Sequence, residues 1–233
     1  MNLNKGKVIL VGAGPGDPEL ITLKGVKYVK SADVIVYDKL TPRSVLSYAK
    51  PSCIIEYLRS DDSEIDILKK YALMGKLVVR LKNGDPYIFG RGGKICITLI
   101  SDGIECEIVP GVSSITAVPA YAGIPLTFPK ISDMITVISG VTEGGKLFNF
   151  QKIPDDGTLV VLMVGKRLEE ISKGLLAKRG PSEEVVVIEK GTYEDQRVSI
   201  VKLKELSEIK LTSPSMLVMG NVTKLRNFLW KLS

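Results

Sequence analysis

The chain opens with a short apolar strand that runs directly into a glycine-rich turn and then into a predicted helix. Residues 8–17 read VILVGAGPGD, and the helix is predicted to begin at Pro18. Glycines in a strand–turn–helix unit allow a tight turn and a close approach of the backbone to a ligand. This unit therefore predicts an α/β fold with a ligand-binding loop at the end of its first strand.

The glycine spacing in this turn differs from that of a dinucleotide-binding loop. Gly12, Gly14 and Gly16 fall at the first, third and fifth positions, whereas the dinucleotide pattern has its last glycine at the sixth. Asp17 occupies that sixth position and is predicted to cap the helix, with Pro18 as the first helical residue. A capping carboxylate satisfies the amides and the helix dipole that a pyrophosphate would need. The spacing thus argues against a standard dinucleotide site.

Short β-branched runs alternate with segments of helical periodicity through the first half of the chain, which is typical of a parallel α/β sheet. The predicted strands are residues 7–11, 33–37, 53–57, 76–81 and 105–109. Four of them end in polar or glycine-rich loops, namely GAGPGD, Tyr37-Asp38, KNGDP and PGVSS. Because ligands bind outside the carboxyl ends of the strands in open α/β sheets, we expect these loops to converge on one site.

A proline-interrupted segment, GIPLTFPK at residues 123–130, separates this pattern from a second series of strands. The connection between Glu189 and Arg197 is too short for a crossover helix, so an antiparallel pair and a mixed sheet are expected there. We predict two α/β domains, residues 1–127 with a largely parallel sheet and residues 128–233 with a mixed one. The strands predicted in the second domain are 134–139, 158–164, 184–189, 197–201 and 215–219.

Composition excludes several kinds of catalytic site. The chain has no histidine, which removes the commonest general base, histidine-dependent nucleophile pairs and most catalytic zinc sites. Cys53, Cys96 and Cys106 form an odd set without metal-ligand spacing, in or beside apolar stretches. We therefore expect buried, reduced thiols rather than a disulfide or a zinc site, and no bound metal.

The net charge and the hydropathy of the chain indicate which kinds of partner it binds. A net charge of +6 suits an anionic partner, but the basic residues are dispersed and no nucleic-acid-binding motif is found. We expect no nucleic acid partner, and an acidic small molecule remains open. No apolar run approaches the roughly 18 residues that span a membrane, and the chain begins without the long apolar segment of a signal peptide. We expect a cytoplasmic protein without a membrane partner.

Seven segments, in chain order, closely resemble the tetrapyrrole methyltransferases of the cobalamin and sirohaem type. They lie between Val8 and about Asn221 and read VGAGPGDPELITLKG, VIVYDKL, VVRLKNGDPYIFGRGG, IVPGVSS, AYAGIPLT, LVVLMVG and VIEKGT. The resemblance implies two α/β domains with S-adenosylmethionine in the cleft between them, and a homodimer. Within the family the likeness is greatest to the branch that methylates uroporphyrinogen III at C2 and C7 to give precorrin-2.

The resemblance also implies roles for individual residues. The implied cofactor contacts are Pro15, Asn83, Gly84, Asp85, Ile88, Ser113, Ser114, Met163 and Gly191. Gly14 and Arg91 are implied to contact the tetrapyrrole, since a guanidinium fork suits a substrate carboxylate. Asp38 matches the carboxylate that accepts a proton. A helix cap, or an ion pair with Lys39 or Arg43, is the alternative role for Asp38, and a structural ion pair is the alternative for Arg91.

The chain departs from the family pattern at four positions. Asn83 stands where the family has glycine, and Leu58 stands where it has a lysine that serves as proton donor. Phe128 and Val141 stand where it has histidines. The identity of a proton donor and the positioning of the substrate are therefore left open.

Three alternative functions are compatible with these residues. A sister enzyme would methylate another ring carbon or a later corrin intermediate, and the mass of the product distinguishes it. A nucleotide-binding module without catalysis would use Asp38 to hold a ribose and would bind NAD. A degenerate family member would bind the cofactor and form no product.

Overall fold

The computed structural model describes residues 5–60 and 63–232, which form two compact units. One unit ends at Ser114 and the other begins at Ile115. The prolines of residues 123–130 predict a later boundary, at 127/128. The helix Ser114–Tyr121 and the turn after it contribute Val118, Ala122 and Ile124 to the core of the second unit, so apolar packing places this segment with the second unit.

The first unit is built on a five-stranded sheet in the order β3-β2-β4-β1-β5, and every neighbouring pair is parallel. Its strands are β1 (Lys7–Gly12), β2 (Val34–Tyr37), β3 (Ile54–Tyr57), β4 (Leu77–Lys82) and β5 (Glu105–Val109). Its helices are α1 (Leu23–Ser31), α2 (Glu64–Leu73) and α3 (Gly92–Ser101). The prediction of a parallel first sheet is confirmed.

Both faces of this sheet are covered, as β1 shows. Val8 and Leu10 pack in one apolar cluster with residues of α2 and α3, whereas Ile9 and Val11 pack in another with Val29 of α1. Successive side chains of a strand point to opposite faces, so a run of apolar residues serves both clusters. This double burial holds the carboxyl ends of the strands, and the loops that follow them, on a rigid base.

The second unit contains a mixed sheet in the order β6-β7-β10-β8-β9. Only β6 and β7 pair in parallel among these neighbours, and the short connection between β8 and β9 joins an antiparallel pair as predicted. The strands are β6 (Ile135–Ser139), β7 (Thr158–Leu162), β8 (Glu184–Glu189), β9 (Arg197–Lys202) and β10 (Ser215–Met219). The helices of this half are α4 (Ser114–Tyr121), described above, and α5 (Leu168–Leu176).

The expectation of reduced thiols is wrong for two of the three cysteines. Cys96 of α3 and Cys106 of β5 form a disulfide, with their Cα atoms 5.3 Å apart. Helix α3 leads into β5 and packs against it, so residues ten positions apart in the chain face each other. Spacing alone does not reveal this, because tertiary packing decides which helix face meets the strand. Cys53 is not disulfide-bonded, and burial raises the pKa of its thiol.

No helix in residues 5–60 and 63–232 is long and apolar enough to cross a membrane. Helices α2 and α3, for example, contain 10 residues each. A helix of that length rises about 15 Å, roughly half the thickness of the hydrocarbon core of a bilayer.

Candidate functional site

Hydrogen bonds join the loops that follow β1, β2 and β4 at the carboxyl edge of the first sheet. The Gly84 amide donates to the Gly14 carbonyl over 2.8 Å. The side-chain amide of Asn83 donates to the carbonyls of Pro15, at 3.2 Å, and Leu40, at 2.8 Å. The convergence of loops expected from the sequence is therefore observed, and one asparagine side chain connects three of them.

Three of the loops meet main chain against main chain. A Cβ atom added to Gly111 would lie 2.3 Å from the Gly84 carbonyl oxygen and 2.6 Å from the Gly12 Cα. Such distances are shorter than van der Waals contact, so only glycine fits between these segments. These segments therefore contact each other through their peptide groups, without side chains between them.

The Asp85 carboxylate ties the loop after β4 to the loop after β5. One of its oxygens accepts from the Tyr87 amide at 2.8 Å, and the other accepts from the Gly111 amide at 3.0 Å. Both bonds are made to a charged acceptor, which makes them stronger than bonds between neutral groups. Asp85 therefore acts on the shape of the site through the main chain.

Asn83 departs from the family's glycine without backbone strain. Its φ angle lies outside the left-handed region, whereas the next residue, Gly84, has φ +64°. Glycine is required where the backbone enters the left-handed region, and that position is 84. The asparagine instead adds the two inter-loop hydrogen bonds that a glycine lacks.

The remaining cofactor candidates of the first unit lie beside this junction. Ile88 follows the Asp85 turn and is 43% exposed. Ser113 and Ser114 are half-buried next to Gly84, since a Cβ atom on Gly84 would lie 3.3 Å from the Ser114 nitrogen. The structure thus brings together Pro15, Asn83, Gly84, Asp85, Ile88, Ser113 and Ser114, and their contact with a cofactor stays a prediction.

Met163 and Gly191 belong to the second unit. Met163 follows β7 in the left-handed region, with φ +57°, and its sulfur accepts a hydrogen bond from the Ser139 hydroxyl at 3.2 Å. A positive φ is uncommon for a residue with a side chain and indicates local strain. Gly191 is buried, and a Cβ atom there would lie 2.3 Å from Val118. The cofactor roles of both residues stay predictions.

Asp38 lies just beyond the carboxyl end of β2. Its Oδ1 accepts from the Leu40 amide at 2.9 Å, and its Oδ2 pairs with Nη2 of Arg80 at 2.8 Å. The sequence pointed to Lys39 and Arg43 as ion-pair partners, but the partner found in the structure is an arginine on the neighbouring strand β4. The site therefore contains a carboxylate that is both oriented and paired.

The environment of Asp38 keeps it ionised. Burial raises the pKa of the carboxyl group, but the charge and hydrogen bond of Arg80, the Leu40 amide and the charge of Lys82 together hold this pKa below the ordinary value of 3.8. Since the folded-state pKa is depressed, the ionised group stabilises the fold above that ordinary value. The contribution is lost as the pH falls through the lower folded-state pKa.

A buried ion cluster lies behind Asp38. Glu64 Oε1 accepts from Nε of Arg80 at 2.6 Å and from Nζ of Lys82 at 3.2 Å, and Glu64 Oε2 lies 3.9 Å from Nη2 of Arg91. We call Asp38, Glu64, Arg80, Lys82 and Arg91 the Glu64 cluster. Burial, and next the charge of Arg80, lower the pKa of Lys82 although Glu64 raises it.

Three residues of the Glu64 cluster were not predicted from the sequence, namely Glu64, Arg80 and Lys82. A signal was present, because the apolar strand LVVRLK carries two cations two residues apart, and such residues share one face of a strand. Two charges on one face of a buried strand require acidic partners. The sequence did not indicate which carboxylates those would be.

Gly14, Arg91 and Leu58 also have defined places. The Gly14 carbonyl accepts a hydrogen bond from the Gly84 amide. Arg91 is the residue just before α3, and its exposed side chain lies at the outer edge of the Glu64 cluster. Substrate contacts of Gly14 and Arg91 stay predictions. Leu58 is 4% exposed in the apolar core, and its amide donates to the Tyr37 carbonyl. Position 58 therefore serves packing in this chain.

Comparison with known proteins places these features in context. A family model described as tetrapyrrole (corrin/porphyrin) methylases matches residues 7–207. An S-adenosyl-L-methionine-dependent uroporphyrinogen III methyltransferase of Methanosarcina barkeri is 41% identical over 98% of this chain and 96% of its own length. A uroporphyrinogen-III C-methyltransferase of Methanocaldococcus jannaschii is 42% identical over 93% of this chain and 96% of its own.

A solved structure is also similar to this chain over nearly its whole length. A uroporphyrin-III C-methyltransferase from Thermus thermophilus, complexed with S-adenyl homocysteine, superposes with a TM-score of 0.86. It is 37% identical, and the match covers 94% of each chain. The similarity therefore extends over both units rather than over one motif.

Proposed function

The chain belongs to the tetrapyrrole (corrin/porphyrin) methylase family, and we propose that it transfers methyl groups from S-adenosylmethionine to C2 and C7 of uroporphyrinogen III, giving precorrin-2. The observation that carries this proposal is the similarity, at 41% and 42% identity over nearly the whole chain, to two relatives named for methylation of uroporphyrinogen III. The ordered loops and the oriented Asp38 carboxylate in the first unit support it. We further propose a cytoplasmic homodimer, as the family resemblance implies.

The residues of the loop junction fit this cofactor. Gly12, Gly84 and Gly111 meet without side chains between them, so that main-chain groups of the loops beside this junction can hydrogen-bond the polar parts of S-adenosylmethionine. The exposed Ile88 offers an apolar contact, and the half-buried Ser113 lies beside Gly84 in the same group of loops. When bound, the cofactor supplies a methyl group on a sulfonium, which is a strong electrophile.

The protein itself has to align the cofactor and the substrate, shield them from water and remove a proton from the substrate. Holding the two reactants in position can contribute several kcal/mol to lowering the barrier, about 7–11 kcal/mol at most. A ring carbon of the substrate would take the methyl group as the bond from methyl to sulfur breaks, leaving neutral S-adenosylhomocysteine, and one ring proton must then leave for each methyl gained. Asp38 accepts that proton on a carboxylate oxygen. Because its pKa is held low, the group is ionised at neutral pH and passes the proton on to water readily.

The substrate class agrees with the charge of the chain. Uroporphyrinogen III carries eight carboxylates, and the chain has a net charge of +6. Arg91 is exposed at the edge of the Glu64 cluster, where its fork can bind one of these carboxylates. Charge alone does not select this substrate, which is why product analysis is the test.

The test is anaerobic incubation of the protein with uroporphyrinogen III and S-adenosylmethionine, followed by mass spectrometry of the extracted tetrapyrrole at successive times. Two added methyl groups are expected. No added methyl, while S-adenosylhomocysteine still binds by calorimetry, would contradict the proposal and favour another tetrapyrrole substrate or a degenerate enzyme. An incubation without S-adenosylmethionine is the control.

Replacing Asp85 by alanine should weaken binding of S-adenosylhomocysteine about 30-fold, equivalent to about 2 kcal/mol. The variant loses the two hydrogen bonds that hold Tyr87 and Gly111, so the two loops are no longer tied. Asp85→Asn keeps one acceptor oxygen and should lose less affinity. Isothermal titration calorimetry measures the effect, and an Asp85→Ala variant with native affinity would remove Asp85 from the cofactor site.

A further inference from the structure

Arg80 lies between two carboxylates that belong to different elements. It is 0% exposed on β4, with Nη2 at 2.8 Å from Asp38 Oδ2 and Nε at 2.6 Å from Glu64 Oε1. Its Nη1 donates to the Leu81 carbonyl. Each nitrogen of the guanidinium thus has an acceptor, and the three partners together fix the orientation of the side chain.

The strand register brings Arg80 to Asp38. Strands β2 and β4 are parallel neighbours with Val36 opposite Arg80, and Asp38 lies two residues beyond Val36. The arginine therefore reaches forward along the sheet edge to the carboxylate. Glu64, at the start of α2, holds the guanidinium from the other side.

We infer that Arg80 is a positioning residue for methyl transfer, which orients the Asp38 carboxylate through their ion pair, and that Glu64 fixes Arg80 in the required geometry. The positive charge of Arg80 also favours the ionised form of Asp38. The inference rests on the proposed function of Asp38 as proton acceptor. It adds two residues, neither of which touches the reacting atoms, to the machinery of the reaction.

A purely structural role accounts poorly for this arrangement. Burying charged groups carries a large desolvation penalty, and well-packed apolar residues often stabilise a core as well or better. The other fully buried residues of β4 are the apolar Val78, Val79 and Leu81, and the buried Lys82 at its end is the second cation of the Glu64 cluster. An arginine directed at a carboxylate on the loop edge is explained by what it does to that carboxylate.

The charges that act on Asp38 come from several elements. Arg80 and Lys82 act on Asp38 from β4. Glu64 of α2 contacts both of these cations, and Arg91, just before α3, lies 3.9 Å from Glu64. On its own loop Asp38 meets the Leu40 amide and, at 3.5 Å, the Thr41 hydroxyl. Of these partners Arg80 makes the direct ion pair. Its removal should therefore have the largest effect on the protonation of Asp38.

The first measurement is a carbon-detected NMR titration of the aspartate side chains in the native protein and in Arg80→Gln. Asp38 is assigned by the signal that disappears in Asp38→Asn. The pKa of Asp38 should rise in Arg80→Gln, because burial still opposes ionisation and the guanidinium is gone. Lys82 remains beside Glu64 in this variant and balances its charge. An unchanged Asp38 pKa overturns the inference.

The second measurement is kcat as a function of pH. In Arg80→Gln the acid limb should move to higher pH, with kcat falling about tenfold for each pH unit below the new limb. The matched control is Arg179→Gln, which removes a buried arginine paired with Glu183 in the second unit. Both variants should lose stability, but only Arg80→Gln should change the pH profile. If both variants lose the same activity and both keep the pH dependence of the native protein, the inference is overturned.

A conservative variant separates charge from orientation and covers the case in which Arg80→Gln does not fold. Arg80→Lys keeps the positive charge, but a single ammonium lacks the planar fork that serves Asp38 and Glu64 together. Its kcat should stay about tenfold or more below native at all pH values, with KM unchanged. Native kcat in Arg80→Lys overturns the orienting role. If the native protein methylates nothing, the proposed function fails, while the NMR titration still decides whether Arg80 controls Asp38.

Discussion

Replacing Asp38 by asparagine is expected to lower kcat by about 100-fold or more while leaving the affinity for S-adenosylhomocysteine unchanged. Asparagine has nearly the same shape and keeps an oxygen that can accept from the Leu40 amide. It carries no charge, so it neither accepts the ring proton nor forms the ion pair with Arg80. The loss should therefore appear in turnover and not in cofactor binding.

The measurement combines single-turnover methylation with calorimetry on the same preparation. Asp33→Asn is the matched control, because Asp33 precedes β2, pairs with Lys50 at 2.8 Å and has, like Asp38, a pKa below the usual value. The control should lose a little stability and keep kcat. If Asp38→Asn retains turnover within about threefold of native, Asp38 has only the structural role of an ion-pair partner.

The second large effect is expected from Gly111→Ala, which should weaken S-adenosylhomocysteine binding about 100-fold, equivalent to about 3 kcal/mol. A methyl group at this position would lie 2.3 Å from the Gly84 carbonyl oxygen and 2.6 Å from the Gly12 Cα. None of these neighbours is a flexible side chain that can turn away. The backbone must move, and the junction of the three loops opens.

Gly93→Ala is the matched control for this prediction. Gly93 is in the first turn of α3, and nothing lies within 4 Å of a Cβ atom added there. Alanine is the better helix former, so this variant should bind normally and be slightly more stable. Thermal unfolding of both variants separates a folded protein with a damaged site from an unfolded one. Native affinity in Gly111→Ala would show that the cofactor does not depend on this junction.

The two substitutions test two different functions of the site, cofactor binding and proton removal. Gly111→Ala disturbs the main-chain surface proposed to hold the cofactor, and Asp38→Asn removes the group proposed to take the proton. Opposite patterns of binding and turnover are expected from them. A protein in which both substitutions weaken binding equally would have Asp38 in the cofactor site rather than at the substrate.

Much of the fold follows from local sequence. The run of residues 7–11 alternates between two faces of a covered sheet, and the predicted strands begin and end within two residues of the observed ones. Asp17 caps a helical turn with Pro18 at its start, as predicted, by accepting from the Glu19 amide. These features depend on residues a few positions apart in the chain, so a single sequence contains the information.

Two expectations failed or were incomplete because they depend on distant residues. Cys96 and Cys106 are bonded because α3 packs on β5, and the spacing of the two cysteines does not state which faces meet. Asp38 pairs with Arg80 instead of Lys39 or Arg43 because β4 lies next to β2 in the sheet. The strand order β3-β2-β4-β1-β5 is a property of the whole sheet, which no local stretch of sequence shows.

Local sequence was enough to predict the two α/β units, the glycine-rich loops and the family to which the chain belongs. Periodicity, capping and motif order depend on residues near one another in the chain, so they can be recognised without knowledge of the three-dimensional contacts. The identity of the charges that meet at the carboxyl edge of the first sheet, in contrast, comes from the three-dimensional fold. The register that sets Val36 opposite Arg80, and the placement of Glu64 at the start of α2, bring residues from three separate segments together. Burial of that cluster is possible because each charge finds its partner there, which no local pattern could specify.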